Sequence, residues 1–187
     1  VCFLGLNPSE NTVARSRTVI LPVPYEATTS YRSGTKLAPS AIIRSSVEME
    51  DYDPEIGASP CTLGIHTAPE LEISSKHPDQ MVSAVAEKVG WYANQQKLVC
   101  ILGGEHSITA GAVAGIVEHY DNVSVLMLDA HADLRNEYQG YRNSHACAAR
   151  RTMDHAPVTL VGYRSLEADE AELIKGRELP FFPRTEA

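Results

Sequence analysis

Leu98-Val99-Cys100-Ile101-Leu102-Gly103-Gly104-Glu105-His106 is an apolar run closed by a glycine pair and two chemically active side chains. A continuous apolar run this short predicts a strand buried on both faces, as in a parallel sheet. Residues 124–129 read the same way and lead into Asp129-Ala130-His131-Ala132-Asp133. Upstream, Met81, Val82, Val85, Val89 and Tyr92 recur at helical spacing and predict a helix over 78–96. Ile108, Ala112 and Ile116 predict another over 107–120. Further on, residues 144–153 predict a helix, 158–161 a strand, 167–175 a helix and 179–182 a last strand. Strand and helix thus alternate from about residue 78, the pattern of an α/β fold with a mainly parallel sheet and helices on both faces.

The front of the chain is less regular. A short strand is expected over 18–22, a loop over 26–38, a helix opened by Ala38-Pro39-Ser40, and a brief strand near 62–65. Residues 50–60 are acidic and turn-rich. Residues 1–17 read as a loose N-terminal arm, and 18–187 as a single domain, since no Pro-, Gly- or Ser-rich linker divides it.

Composition narrows the function classes. The 187 residues are 43% hydrophobic and 21% charged, so a disordered chain is excluded, and the net charge of −8 argues against nucleic-acid or anionic-membrane partners. Cys2, Cys61, Cys100 and Cys147 lie far apart without metal-binding spacing, and reduced, buried thiols are expected, with Cys100 in the core. The apolar run at 1–6 is too short for a signal peptide or a membrane span, so a cytoplasmic location is expected, or a mitochondrial one in a eukaryote.

Ligands of open parallel sheets bind beyond the carboxyl ends of the strands. His106 and the triplet Asp129, His131, Asp133 fall at two such ends. In extended backbone, alternate side chains point the same way, so the triplet would project together. Two carboxylates and an imidazole would converge only at a cost that a divalent cation removes. The mixed donors suit Mn²⁺, Fe²⁺ or Zn²⁺ better than Ca²⁺. The alternative is a solvated loop closing an apolar strand. His66, His77, His119 and His155 stand without such company and read as surface or packing residues.

Gly103-Gly104-Glu105-His106-Ser107, the triplet, and Asn143-Ser144-His145-Ala146-Cys147 together resemble successive motifs of the ureohydrolases, the arginase, agmatinase and formiminoglutamase relatives. Pro22-Val23-Pro24-Tyr25, Ser33-Gly34-Thr35 and Pro39-Ser40-Ala41-Ile42-Ile43-Arg44 are similar to theirs as well. The resemblance implies a three-layer α/β/α fold and a binuclear Mn²⁺ centre, with His106, Asp129, His131 and Asp133 as metal ligands. It implies that His145 shuttles protons as the catalytic histidine. Glu105 stands where Asp is more usual, and a supporting role is expected, orienting His106 or its loop. The string Ala146-Cys147-Ala148-Ala149-Arg150-Arg151 resembles bacterial and archaeal agmatinases, implying hydrolysis of agmatine to putrescine and urea. Other ureohydrolases, a non-catalytic truncated paralogue and a histone-deacetylase relative are the alternatives. Trimers or hexamers are usual in the family. Its later Asp-x-Asp and Asp-Pro motif is not found after Asp133, where only Asp154 and Asp169 follow. The domain is therefore expected to be incomplete at its C-terminus, and these residues alone to be poorly active and to hold well under two Mn²⁺ ions.

Overall fold

The computed structural model describes residues 1–72 and 77–184. The order is β1 (Thr18–Val23), α1 (Ala38–Ser45), β2 (Ile65–Thr67), α2 (Pro78–Ala93), β3 (Leu98–Gly103) and α3 (Ile108–Val117). Then follow β4 (Val125–Leu128), α4 (Ala148–Thr152), β5 (Val158–Tyr163), α5 (Ala168–Arg177) and β6 (Phe181–Pro183). All strand pairs are parallel, in two three-stranded sheets of order β2-β1-β3 and β4-β5-β6. No described helix is long and apolar enough to cross a membrane.

The core is split to match. Val19, Leu21 and Val23 of β1 alternate onto one face, where Met81, Val85, Val89 and Tyr92 of α2 and Ile108 of α3 bury them. Met127, Val158, Leu160 and Phe181 form a second cluster with Ala149 of α4 and, at its margin, Leu173 and Ile174 of α5.

β3 and β4 are not buried on both faces, as their apolar runs predict. Leu98 is 66% exposed, and Leu126 and Leu128 are 66% and 77% exposed. Cys100 is exposed too, not a core residue, while Cys147 is buried and Cys2 and Cys61 are half-buried. The reason is topological: β3 and β4 each end a sheet, and their alternate side chains meet no layer among the described residues.

Residues 1–17, where the sequence suggests a loose arm, make two 3₁₀ turns and are tied to the body. Phe3 N–H donates to Thr67 Oγ1, Leu4 N–H to Ser46 Oγ, and Ile65 N–H to Asn11 Oδ1. The strand expected near 62–65 begins at Ile65, after a 3₁₀ turn over Pro60–Leu63. The helix expected over 144–153 is a 3₁₀ turn, His145–Cys147, followed by α4.

α2 and α3 cross backbone against backbone. A Cβ at Gly111 would collide with the carbonyl oxygen of Val82, and one at Gly115 with that of Ala86. A Cβ at Gly176 in α5 would meet nothing within 4 Å. Helix propensity favours alanine over glycine by about 1 kcal/mol at either kind of site. At Gly111 the collision outweighs it, since overpacking costs about 1–3 kcal/mol. Gly111→Ala should therefore lower stability and Gly176→Ala raise it slightly. Urea unfolding of the two variants checks this, and a stabilised Gly111→Ala would contradict the close crossing.

Candidate metal centre

The carboxyl ends of β1, β3 and β4 meet around a cavity of about 520 Å³. β3 delivers Glu105 and His106 through a turn pressed against the loop after β1. Glu105 N–H donates to the Tyr25 carbonyl at 3.2 Å, and a Cβ at Gly104 would strike that same oxygen. Only glycine allows this approach.

His106 reaches the end of β4. Its Nδ1–H donates to Asp133 Oδ2 at 2.7 Å and lies 3.4 Å from Asp129 Oδ2. Donor atoms of His106, Asp129 and Asp133 all lie within 4.8 Å of one another. Burial alone would push the imidazole pKa down. The hydrogen bond and charge of Asp133, with the charge of Asp129, outweigh it and hold His106 above the ordinary histidine value. The arrangement draws positive charge to one point between two carboxylates, and an imidazole with two carboxylates is a donor set that fits a divalent transition-metal ion.

The triplet does not stay extended. Asp129 Oδ1 accepts the His131 N–H at 2.8 Å, which turns the chain as soon as β4 ends. Asp133 is left-handed, at φ 48°. That conformation is held from both sides. Arg150 N–H of α4 donates to the Asp133 carbonyl, and Leu134 N–H to Glu170 Oε1 at 2.7 Å. Asp133 is thereby curled back onto His106. His131 lines the cavity but points outward: its side chain is 64% exposed, with Nδ1 3.4 Å from Asp129 Oδ1. The structure thus brings Asp129 and Asp133 together by a different route from simple alternation, and leaves His131 at the rim.

Glu170 is not among the residues that the sequence marks as functional. It is 5% exposed and also accepts the Glu167 N–H at 2.7 Å, closing a capping box on α5. A Glu three residues after Glu167 at a helix start is the available signal. Glu105, likewise 5% exposed, accepts four hydrogen bonds. Two come from the N–H groups of Ala27 and Thr28, one from Thr28 Oγ1 and one from Ser107 Oγ. None of these goes to the His106 ring, so Glu105 holds the loop after β1.

His145 lines the same cavity, with Tyr138 edge-on at 5.6 Å. Its N–H donates to Thr28 Oγ1 at 3.0 Å, and its Nδ1 lies 3.1 Å from the same oxygen. Arg135, the one arginine of the lining among the described residues, is bonded to Glu167 at 2.8 Å.

Comparison with known proteins follows the same lines. A family model described as the arginase family matches residues 16–186. The chain is 39% identical over 176 residues to an N(1)-aminopropylagmatine ureohydrolase of Synechocystis sp., covering 90% of this chain and 58% of that protein. It is 33% identical over 154 residues to an agmatinase of Pyrococcus horikoshii, covering 81% and 53%. The fold matches an agmatine ureohydrolase of Thermoplasma volcanium with a TM-score of 0.85 at 31% identity, over 92% of this chain and 59% of that one. The chain thus spans a little over half the length of these relatives. A family match along nearly the whole described fold, joined to this architecture, means that the chain belongs to the arginase family.

Proposed function

We propose that this chain belongs to a ureohydrolase acting on a guanidino compound that lacks an α-carboxylate, agmatine first. The observation that carries the substrate class is what the cavity offers a carboxylate: among the described lining residues the one arginine, Arg135, is already paired with Glu167. The α-carboxylate of arginine would find no unpaired arginine or lysine there, and a guanidino compound without that group needs none. The 39% identical relative named for N(1)-aminopropylagmatine supports that longer polyamine derivative as the second reading.

His106, Asp129 and Asp133 would hold a manganese ion, with His131 at the rim as a fourth ligand. Bound there, the metal supplies Lewis-acid activation of water. Hydrolysis adds water to the guanidinium carbon, breaks the C–N bond to the amine and releases urea. The leaving nitrogen must gain a proton, and His145, which lines the cavity, would give it. Tyr138 against its ring and Thr28 at its Nδ1 keep it aimed.

Two measurements test this reading. In the full-length protein with Mn²⁺, urea release should be faster from agmatine or its aminopropyl derivative than from arginine. A preference for arginine would overturn the substrate class. Separately, Mn²⁺ titration followed by electron paramagnetic resonance should show Asp129→Asn and Asp133→Asn each weakening binding by more than about a hundredfold, since even the partners of ligands are worth about 10–100-fold. Unchanged affinity would remove these carboxylates from the metal site.

A further inference from the structure

We infer that Glu105 and Thr28 act as positioning residues that set the tautomer of His145. One buried chain of hydrogen bonds fixes where each proton sits. Glu105 Oε2 accepts two backbone N–H groups, at 2.7 and 2.8 Å, which fixes that oxygen as an acceptor. Glu105 Oε1 faces Thr28 Oγ1 and Ser107 Oγ, each at 2.7 Å. A carboxylate only accepts, so the single hydroxyl proton of Thr28 goes to Glu105. Thr28 Oγ1 is then left with lone pairs alone. One accepts the backbone N–H of His145 at 3.0 Å, and the other faces His145 Nδ1 at 3.1 Å. Nδ1 must therefore carry a proton. Ser144 Oγ also lies near Nδ1, but farther off at 3.3 Å.

Thr28 is 1% exposed, so water does not compete for these bonds. The neutral ring thus keeps its free lone pair at Nε2. Adding a proton at Nε2 leaves the Nδ1–H bond to Thr28 in place. His145 can take up and release a proton at that one atom without moving its anchors. That use of Nε2 rests on the proposed hydrolysis, but the tautomer itself does not.

The chain of bonds makes an unusual demand on an isosteric change. In Glu105→Gln, the amide oxygen must stay on the two backbone N–H groups, so the amide NH₂ turns to Thr28. Thr28 then accepts from the glutamine, and its own proton becomes free for His145 Nδ1. The neutral tautomer should reverse, with the proton on Nε2. Thr28→Val should abolish the bias, and Thr28→Ser should retain it.

Nitrogen-15 NMR of histidine-labelled full-length protein reads this directly. Spectra are taken without manganese, whose unpaired electrons would erase nearby signals, and His145 is assigned with His145→Gln. The expected result is a neutral ring protonated at Nδ1 in the natural protein and in Thr28→Ser, and at Nε2 in Glu105→Gln. A natural ring protonated at Nε2 overturns the inference, as does a tautomer untouched by both Glu105→Gln and Thr28→Val. Glu105→Gln and Thr28→Ser keep the test open if Thr28→Val does not fold. With Mn²⁺ and substrate, Glu105→Gln should lower kcat by about 10²-fold or more with little change in KM. A protein that shows the tautomer pattern but releases no urea would sink the proposed hydrolysis and leave the positioning role standing.

Discussion

A carboxylate removed from water needs donors to replace its hydration, and without them its burial costs several kcal/mol. Glu105 meets that demand with four, drawn from the loop after β1 and from the turn that opens α3. The cavity depends on this one group. It fixes Ala27 and Thr28, and Thr28 in turn fixes His145, which comes from a distant loop. It also sits one residue before His106, so the same turn that buries Glu105 presents the imidazole to Asp129 and Asp133. The neighbouring Gly104 contributes by absence, since no side chain fits against the Tyr25 carbonyl. Glu170 repeats the device across the cavity, where its two oxygens join the start of α5 to Leu134.

Much of this is legible in the residues, and the exceptions have physical causes. Apolar runs and helical spacing locate strands and the longer helices because those patterns answer to burial. They do not say how many layers are present to do the burying, so Cys100, Leu126 and Leu128 are apolar and yet exposed. Alternation along a strand brings Asp129 and Asp133 to one place in the reading. In the structure an Asx turn and a left-handed Asp133 achieve it, and His131 falls to the rim. The residue types of the candidate metal centre are visible because two carboxylates and an imidazole that converge at one strand end carry a cost that a cation removes. Thr28 is not visible, because a threonine in a Thr- and Ser-rich loop gives no sign of a partner 117 positions away. Glu105 stands out as a departure from its family, but its partner can be read only from the fold.

The two sheets are finished alike where they face the site. β3 and β4 are each paired on one side, and Leu98, Leu126 and Leu128 on them are exposed. The Glu105 turn follows β3, under which α2 and α3 cross with almost no space between their backbones, and the two aspartates follow β4. Asp133 bridges the two sheets through His106, so the site itself is a seam between them.

That seam has a consequence for the order in which the molecule assembles. The bonds that build the cavity join residues far apart in the chain: 77 positions separate Thr28 from Glu105, and 117 separate it from His145. Closing such loops costs entropy before any bond returns it. Helix pairs such as α2 and α3 are nearer neighbours and can form early. β1 pairs with β3 across a loop of similar size, 80 positions from Thr18 to Leu98, so the bonds of Thr28 to Glu105 can close together with that core, and the longer closure to His145 is the one left over. A chain emerging from the ribosome holds Thr28 and Glu105 before His145, so the anchor of the His145 ring is present before the ring that it receives.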